Sequence, residues 1–288
     1  MTKACAITGS SGYVGGCVKR YFDARGWETY GLTRRPQQPS TRGIRFQLGD
    51  EVSPQLLSGL TALVHCAYDF KPLRWDHIRT VNVEGSRRVL QAARAAGIPK
   101  IVVISSVSAF EGCRSLYGRA KLEIEAIARE CGALVIRPGL VYGPDAGGMF
   151  GTLVEQVRRS SFIPVIGGSQ ILFLLHHEDL CAFVERYAND EIGPLEGSPI
   201  LTAAHDRPWR FRELLLQICR GLHKAPTFIP LPWRFVWLGL KSAECCGLPL
   251  SVRSDSLISL MNPNPSPDFS PNANAGLVCR PFNFPAHA

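Results

Sequence analysis

The chain has no Cys-x-x-Cys pair and no His-Glu-x-x-His sequence, so the common signatures of a zinc site are missing and no metal is expected. Its ten cysteines are scattered, most of them in apolar runs such as those around Cys5, Cys66, Cys181 and Cys219. Cys245 and Cys246 are adjacent and poorly placed to bridge each other. Buried, reduced thiols in a cytoplasmic protein are the expectation. There is no charged leader running into an apolar stretch, because a strand-like segment starts almost at once; no signal peptide is expected. Nor is there an unbroken apolar run of the ~20 residues that a membrane span needs. The most apolar stretch, residues 228–250, is interrupted by Pro230, Pro232, Arg234, Lys241 and Glu244. It reads as a helix of a small lobe packed on the body, with a lid over an apolar pocket or an interfacial membrane contact as alternatives. The net charge of +8 comes without a dense basic tract; arginines occur as dispersed pairs, Arg34-Arg35, Arg87-Arg88 and Arg158-Arg159. Nucleic acid is therefore not an expected partner, and a small polyanionic ligand would account for part of the balance.

The most telling feature present is a glycine loop. Ala4-Cys5-Ala6-Ile7 reads as a buried strand. Thr8-Gly9-Ser10-Ser11-Gly12-Tyr13-Val14-Gly15 follows, and Val14, Val18, Tyr21 and Phe22 then carry helical spacing. Strand, glycine turn and helix in that order make a dinucleotide-binding site. Gly9 permits the tight turn, Gly12 lets backbone approach a pyrophosphate, and Gly15 lets the helix pack close to the strand, its N-terminus facing the phosphates. Ser11, Tyr13 and Val14 are assigned to the same cofactor-binding loop.

Strand and helix patterns alternate through the first half. Strands are expected at 3–8, 28–33, 44–48, 61–66, 99–105 and 133–137, and helices at 12–25, 76–96 and 115–131. Such alternation predicts an α/β fold, a Rossmann-type doubly wound parallel sheet. Unbroken apolar runs such as Ile101-Val102-Val103-Ile104 suit strands buried on both faces. After about residue 143 the alternation loosens. The expected organisation is a dinucleotide-binding domain over 1–165, with 171–203 adding further core elements. Residues 204–288 would form mainly a small, partly interleaved substrate lobe and tail. Asn262-Pro263-Asn264-Pro265-Ser266-Pro267 cannot be helical and reads as a connector leading to Arg280-Pro281-Phe282, which is expected to pack back on the body.

Ser105-Ser106 close the strand at 99–105, and Tyr117 and Lys121 follow in the sequence Tyr-Gly-Arg-Ala-Lys. Four-residue spacing puts Tyr117 and Lys121 on one helix face. A phenol titrates near pH ~10 and is a poor base at neutrality. A neighbouring ammonium would stabilise the phenolate and lower that value. Ser106 would hold a substrate oxygen beside Tyr117, and Lys121 could also reach a nicotinamide ribose.

With these motifs the chain resembles the extended short-chain dehydrogenase/reductase superfamily, in its NAD-dependent epimerase/dehydratase branch. The resemblance also rests on Gly49-Asp50, Cys66-Ala67, Asn82-Val83-Glu84-Gly85, Arg137-Pro138-Gly139-Leu140-Val141-Tyr142-Gly143-Pro144 and His177-Glu178-Asp179-Leu180. It implies that Ser106, Tyr117 and Lys121 are catalytic and that Asp50 contacts the adenine. It further implies that Ala67, Asn82 and Ser105 belong to the cofactor site, and that Pro138, Leu140 and Val141 border the nicotinamide. A homodimer through the helices at 76–96 and 115–131 is implied as well. The closing Gly276-Leu277-Val278-Cys279-Arg280-Pro281 resembles the family's C-terminal ending, which suggests a complete chain.

Three departures sharpen the expectation. Where NAD-preferring members carry an acidic residue after the second strand, this chain has Gly31-Leu32-Thr33-Arg34-Arg35. A guanidinium matches a phosphate by paired hydrogen bonds, so NADP is the expected preference over NAD, with Arg34 as main ligand of the 2′-phosphate and Arg35 beside it. Sugar-nucleotide epimerases usually place an arginine where Leu172 stands, four residues before His176; Arg207, Arg210 or Arg212 could supply that charge instead. The segment between Ser106 and Tyr117 is short, and Val107 stands where dehydratases carry acid–base residues. The expected function is an NAD(P)-dependent oxidoreductase moving hydride between nicotinamide and a carbonyl or secondary alcohol of a small, apolar substrate. A nucleotide-sugar epimerase with tightly bound NAD is the first alternative, and a non-catalytic NADP-sensing regulator the second.

Overall fold

A computed structural model describes residues 3–34, 43–144, 147–193, 195, 200–248, 250 and 252–284. Arg35 lies outside the described residues. The strands are β1 (Ala4–Thr8), β2 (Glu28–Thr33), β3 (Gly43–Arg45), β4 (Ala62–His65), β5 (Lys100–Ile104), β6 (Leu134–Pro138) and β7 (Leu140–Tyr142). They continue with β8 (Phe162–Ile166), β9 (Ile171–Leu172), β10 (Leu174–His176), β11 (Ile200–Ala203), β12 (Trp209–Arg210) and β13 (Thr227–Leu231). The α-helices are α1 (Tyr13–Asp23), α2 (Trp75–Ile78), α3 (Gly85–Ala95), α4 (Leu116–Glu130), α5 (Gly148–Arg159), α6 (His177–Ala188), α7 (Phe211–Gly221), α8 (Trp233–Cys245), α9 (Ser254–Met261) and α10 (Ser270–Ala275). A wide turn over Arg79–Glu84 joins α2 to α3, so the long helix expected at 76–96 is one rod with a π-bulge in it.

Seven strands form one all-parallel sheet in the order β11-β6-β5-β4-β1-β2-β3. The chain winds outward from β1 in both directions, which opens a crevice beyond the carboxyl ends of β1 and β4, where the winding reverses. Helices cover both faces. On one, Cys17, Val18 and Phe22 of α1 pack with Leu180, Cys181 and Val184 of α6. On the other, Val89, Leu90 and Ala93 of α3 pack with Ile124, Ile127 and Ala128 of α4. This double cover explains why β1 and β4 are buried at every residue. β11 joins the sheet beside β6, although residues 139–199, a less regular stretch of chain, come between them.

Most of the remaining elements build a smaller lobe around a third core of Phe150, Leu153, Ile163, Leu214, Leu215 and Ile218, while α10 packs its Ala275 on the core of the sheet. The tail closes this core: Phe282 and Phe284 are buried in it, and Arg280 pairs with Glu178 and Asp179. The apolar stretch at 228–250 divides between β13 and α8, with Pro232 capping the helix. Only Glu244 of α8 is buried, and Phe235 stands 75% exposed. No helix among the described residues is long and apolar enough to cross a membrane.

The glycine loop is fixed by contact. Gly9 adopts φ +67°, and a Cβ there would meet the Ala67 backbone at 2.9 Å. At Gly15 a Cβ would sit 2.4 Å from the Gly9 carbonyl oxygen. Both obstacles are backbone, which cannot swing aside as a side chain can. Gly15→Ala should therefore cost about 1–3 kcal/mol, an overpacking penalty. Thermal unfolding beside wild type checks this, and an unchanged midpoint would contradict the close packing described.

Candidate active site

The crevice is a cleft of about 570 Å³. Its floor begins at the glycine loop, where Gly9, Ser11, Gly12, Tyr13, Val14 and Gly15 all line it. The loop after β4 forms the facing wall and is held by β1. The Thr8 hydroxyl accepts the N–H groups of Cys66 and Ala67 at 3.1 and 3.2 Å. Its own proton is then free for His65 Nδ1, 2.8 Å away, which leaves the Nε2 proton for Ser86 at 2.9 Å. Burial, helped by the charge of Lys121, pushes His65 down to about 3, so this imidazole is neutral.

Tyr117 and Lys121 project from α4 into the other end of the cleft. Ser115 caps the helix, its hydroxyl accepting the Gly118 N–H at 3.1 Å. Lys121 is 4% exposed and its Nζ donates to the Ile104 carbonyl at 2.8 Å. Nζ also lies 5.3 Å from the Tyr68 ring centre and 5.9 Å from that of Tyr117. Burial pulls the ammonium down to about 8, while Cys66 and Glu125 oppose that fall. Glu125, one turn further along α4, is buried and grips Arg137 through two hydrogen bonds of 2.9 and 2.6 Å. The Ser105 hydroxyl donates to the same carboxylate.

The phenol of Tyr117 departs from expectation. Burial pushes it up to about 12, and the hydrogen bond with Ser106 only partly opposes this. The charge of Glu125 adds to the rise, and the lowering expected from Lys121 is not found; taking a phenolate out of water dominates.

Most of the expected residues meet in this cleft: Ala67, Ser105, Ser106, Pro138, Leu140 and Val141 line it with the glycine loop, Tyr117 and Lys121. Ser105 lines it while its hydroxyl is turned to Glu125. Asp50 is not brought into the lining: it sits exposed on the turn beyond Gly49, while Gln47 and Leu48 line the cleft. Asn82 is also outside the lining. It is fully buried and braces the wall, accepting the Asp69 N–H at 2.7 Å and donating to the Asp69 carbonyl at 2.9 Å. Arg34 does line the cleft, 55% exposed, with its guanidinium 3.8 Å from the Asp69 carboxylate.

Sequence reasoning missed the aromatic wall. Tyr68 meets Tyr117 edge-on at 4.9 Å, and Phe70 stacks on Tyr117 at 5.6 Å. Their place directly after Cys66-Ala67, at the mouth of β4, was the available signal. Met149 completes the lining near Gly147 and Gly148, with no pattern to announce it.

The residues present fit a dinucleotide. Bare glycine backbone at the start of α1 leaves room that a Cβ would fill, and the cleft runs from there to Lys121 and Tyr117. The N-terminus of α1 supplies the partial positive charge that a pyrophosphate needs.

Comparison with known proteins agrees with this geometry. The profile of the NAD dependent epimerase/dehydratase family matches residues 5–193. A ceramide reductase of Caulobacter vibrioides is 28% identical over 236 residues, 79% of this chain and 73% of its own length. The human sterol-4-alpha-carboxylate 3-dehydrogenase (decarboxylating) is 25% identical over 265 residues, 78% of this chain and 69% of its own. Among solved structures, that of MoeE5 in complex with UDP-glucuronic acid and NAD superposes with a TM-score of 0.74. It covers 97% of this chain and 94% of that one at 19% identity, which shows a shared fold. The chain belongs to the NAD dependent epimerase/dehydratase family of enzymes.

Proposed function

We propose that this enzyme is an NADP-preferring oxidoreductase that acts on a carbonyl or secondary alcohol of an apolar small molecule. The observation that carries the reading is the wall around Tyr117. Tyr68 and Phe70 pack on Tyr117, Leu140 and Met149 also line the cleft, and Lys121 and Arg34 are the only cations in the described lining. Arg207, Arg210 and Arg212 lie outside it; Arg207 is engaged by Glu213 at 2.9 Å. A substrate diphosphate here would be stripped of water without a matching charge, at considerable cost. The two relatives are named for a ceramide and a sterol, substrates of the apolar kind.

When bound, the nicotinamide would supply or accept the hydride. The side chains handle the proton. Ser106 and Tyr117 share a hydrogen bond and present two hydroxyls to one substrate oxygen. Burial keeps Tyr117 protonated at neutral pH, which suits a general acid in the reducing direction. Lys121, cationic below about pH 8, stabilises the phenolate that forms as the proton leaves. The aromatic rings exclude water from this exchange.

The NADP preference is supported by the end of β2, where Thr33 is followed by Arg34 rather than by a carboxylate. A second reading has one observation of its own. Asp69 faces Arg34 and offers a carboxylate to the ribose hydroxyls of NAD, as a nucleotide-sugar epimerase with bound NAD would use. The regulator reading is disfavoured by the intact Ser106, Tyr117 and Lys121. A homodimer through α3 and α4 rests on the family resemblance, and a cytoplasmic location on ten free cysteines.

Tyr117→Phe should lower kcat for ketone reduction by about 10²–10⁴-fold, the usual worth of a general acid, while NADPH titration stays near wild type. In the wild-type enzyme the reduction rate should fall above about pH 8, as Lys121 loses its proton. Acetophenone and 2-decanone serve as probes. Retained activity in Tyr117→Phe would refute the assigned role. Arg34→Asp should weaken NADPH binding far more than NADH binding in fluorescence titrations, and equal losses would sink the cofactor assignment.

A further inference from the structure

The first turn of the catalytic helix is held from outside the Rossmann sheet. The N–H groups of Leu116 and Tyr117 are the first two of α4, and a helix cannot satisfy its own leading amides. Both donate to Asp255, to Oδ1 at 2.8 Å and Oδ2 at 2.9 Å respectively. Asp255 belongs to α9 of the small lobe, 138 residues downstream of Tyr117. Its carboxylate also complements the positive end of the α4 dipole. Ser115 takes the next amide, so one residue from a distant segment and one local cap share the turn that carries the catalytic phenol.

Asp255 is itself anchored. Two residues before it, Arg253 donates to the carbonyl of Phe70, the residue whose ring stacks on Tyr117. Arg253 also donates to Glu244 at 3.2 Å. Glu244, the buried residue of α8, accepts the Ser254 N–H at 2.8 Å and the Ser254 hydroxyl at 2.7 Å. Burial alone would push this carboxyl up; hydrogen bonds from Ser254 and Arg253 hold it below its usual value. Residues 253–255 are therefore pinned to α8 and reach both sides of the catalytic end, Phe70 on one and the start of α4 on the other.

We infer that Arg253-Ser254-Asp255 is a strut that positions the active site, with Asp255 setting Tyr117 and Arg253 setting the Phe70 wall against it. Neither residue lines the cleft, so both act through others. The strut makes the spacing between proton donor and substrate wall a property of the small lobe. This deepens the oxidoreductase reading and rests on it for the kinetic arm of its test.

The test compares wild type with Asp255→Ala, Asp255→Asn, Asp255→Glu and Arg253→Met. Hydrogen exchange is followed at residues 115–118 and 69–71, with NADPH affinity and reduction of whichever probe ketone wild type turns over. Asp255→Ala should speed exchange at 115–118 and lower kcat about 10- to 100-fold, the scale expected of a misplaced reacting group, with NADPH affinity unchanged. Asp255→Glu should recover part of the loss, and Arg253→Met should speed exchange at 69–71. Unchanged exchange and kcat in folded Asp255→Ala would overturn the strut. So would parallel loss of kcat and NADPH affinity, since that marks general damage. Should Asp255→Ala fail to fold, Asp255→Asn, which keeps one acceptor oxygen, decides by the same criteria. If wild type reduces neither ketone, the oxidoreductase reading fails, and the exchange data still judge the strut.

Discussion

A lysine ammonium buried at the floor of the cleft is the constraint around which the site is arranged. Burying an ammonium is costly unless it is paired or hydrogen-bonded, and Lys121 has the Ile104 carbonyl as its hydrogen-bond acceptor. The faces of Tyr68 and Tyr117 add a weaker attraction. Glu125 one turn away lends negative charge, although Arg137 and Ser105 already hold that carboxylate. The ends of β5 and β6 and the inner face of α4 are thereby tied to one another by polar contacts. His65 has to stay neutral beside that cation, and the Thr8–His65–Ser86 chain supplies both of its ring nitrogens with partners.

The sheet and the lobe divide the work. The sheet gives one end of the cleft its glycine loop, where backbone contact excludes a side chain at Gly9 and Gly15 and where Ser11, Tyr13 and Val14 join the lining. The other end, around Tyr117, is built from side chains on the loop after β4 and on α4, and the lobe braces both. The Glu125–Arg137 pair ties α4 to β6 by two hydrogen bonds.

Much of this was legible in the sequence, for physical reasons. The strand at 62–65 shows as an apolar run because helices cover both faces. Gly9 and Gly15 are legible because backbone contact leaves no alternative. Tyr117 and Lys121 share a face through helical spacing alone. Spacing carries no measure of desolvation, which is why the phenol moved opposite to expectation. Sequence spacing alone did not show that Asp50 stands outside the cleft lining: β3 ends at Arg45, and a turn from Gln47 to Asp50 follows. Asp255 was hidden because its partners lie well over a hundred residues away, and a lone aspartate near a helix start reads as a local feature. β13 was hidden within a run whose apolar bulk suggested helix.

The central claim is that the cofactor exchanges with each turnover while hydride passes to an apolar carbonyl. Identifying the nicotinamide in freshly purified, denatured protein by absorbance and mass spectrometry tests it most directly. The account predicts a site largely free of retained NAD, which then binds added NADPH more tightly than NADH. Stoichiometric, tightly held NAD would contradict it and show that the hydride returns to the same substrate, as in an epimerase.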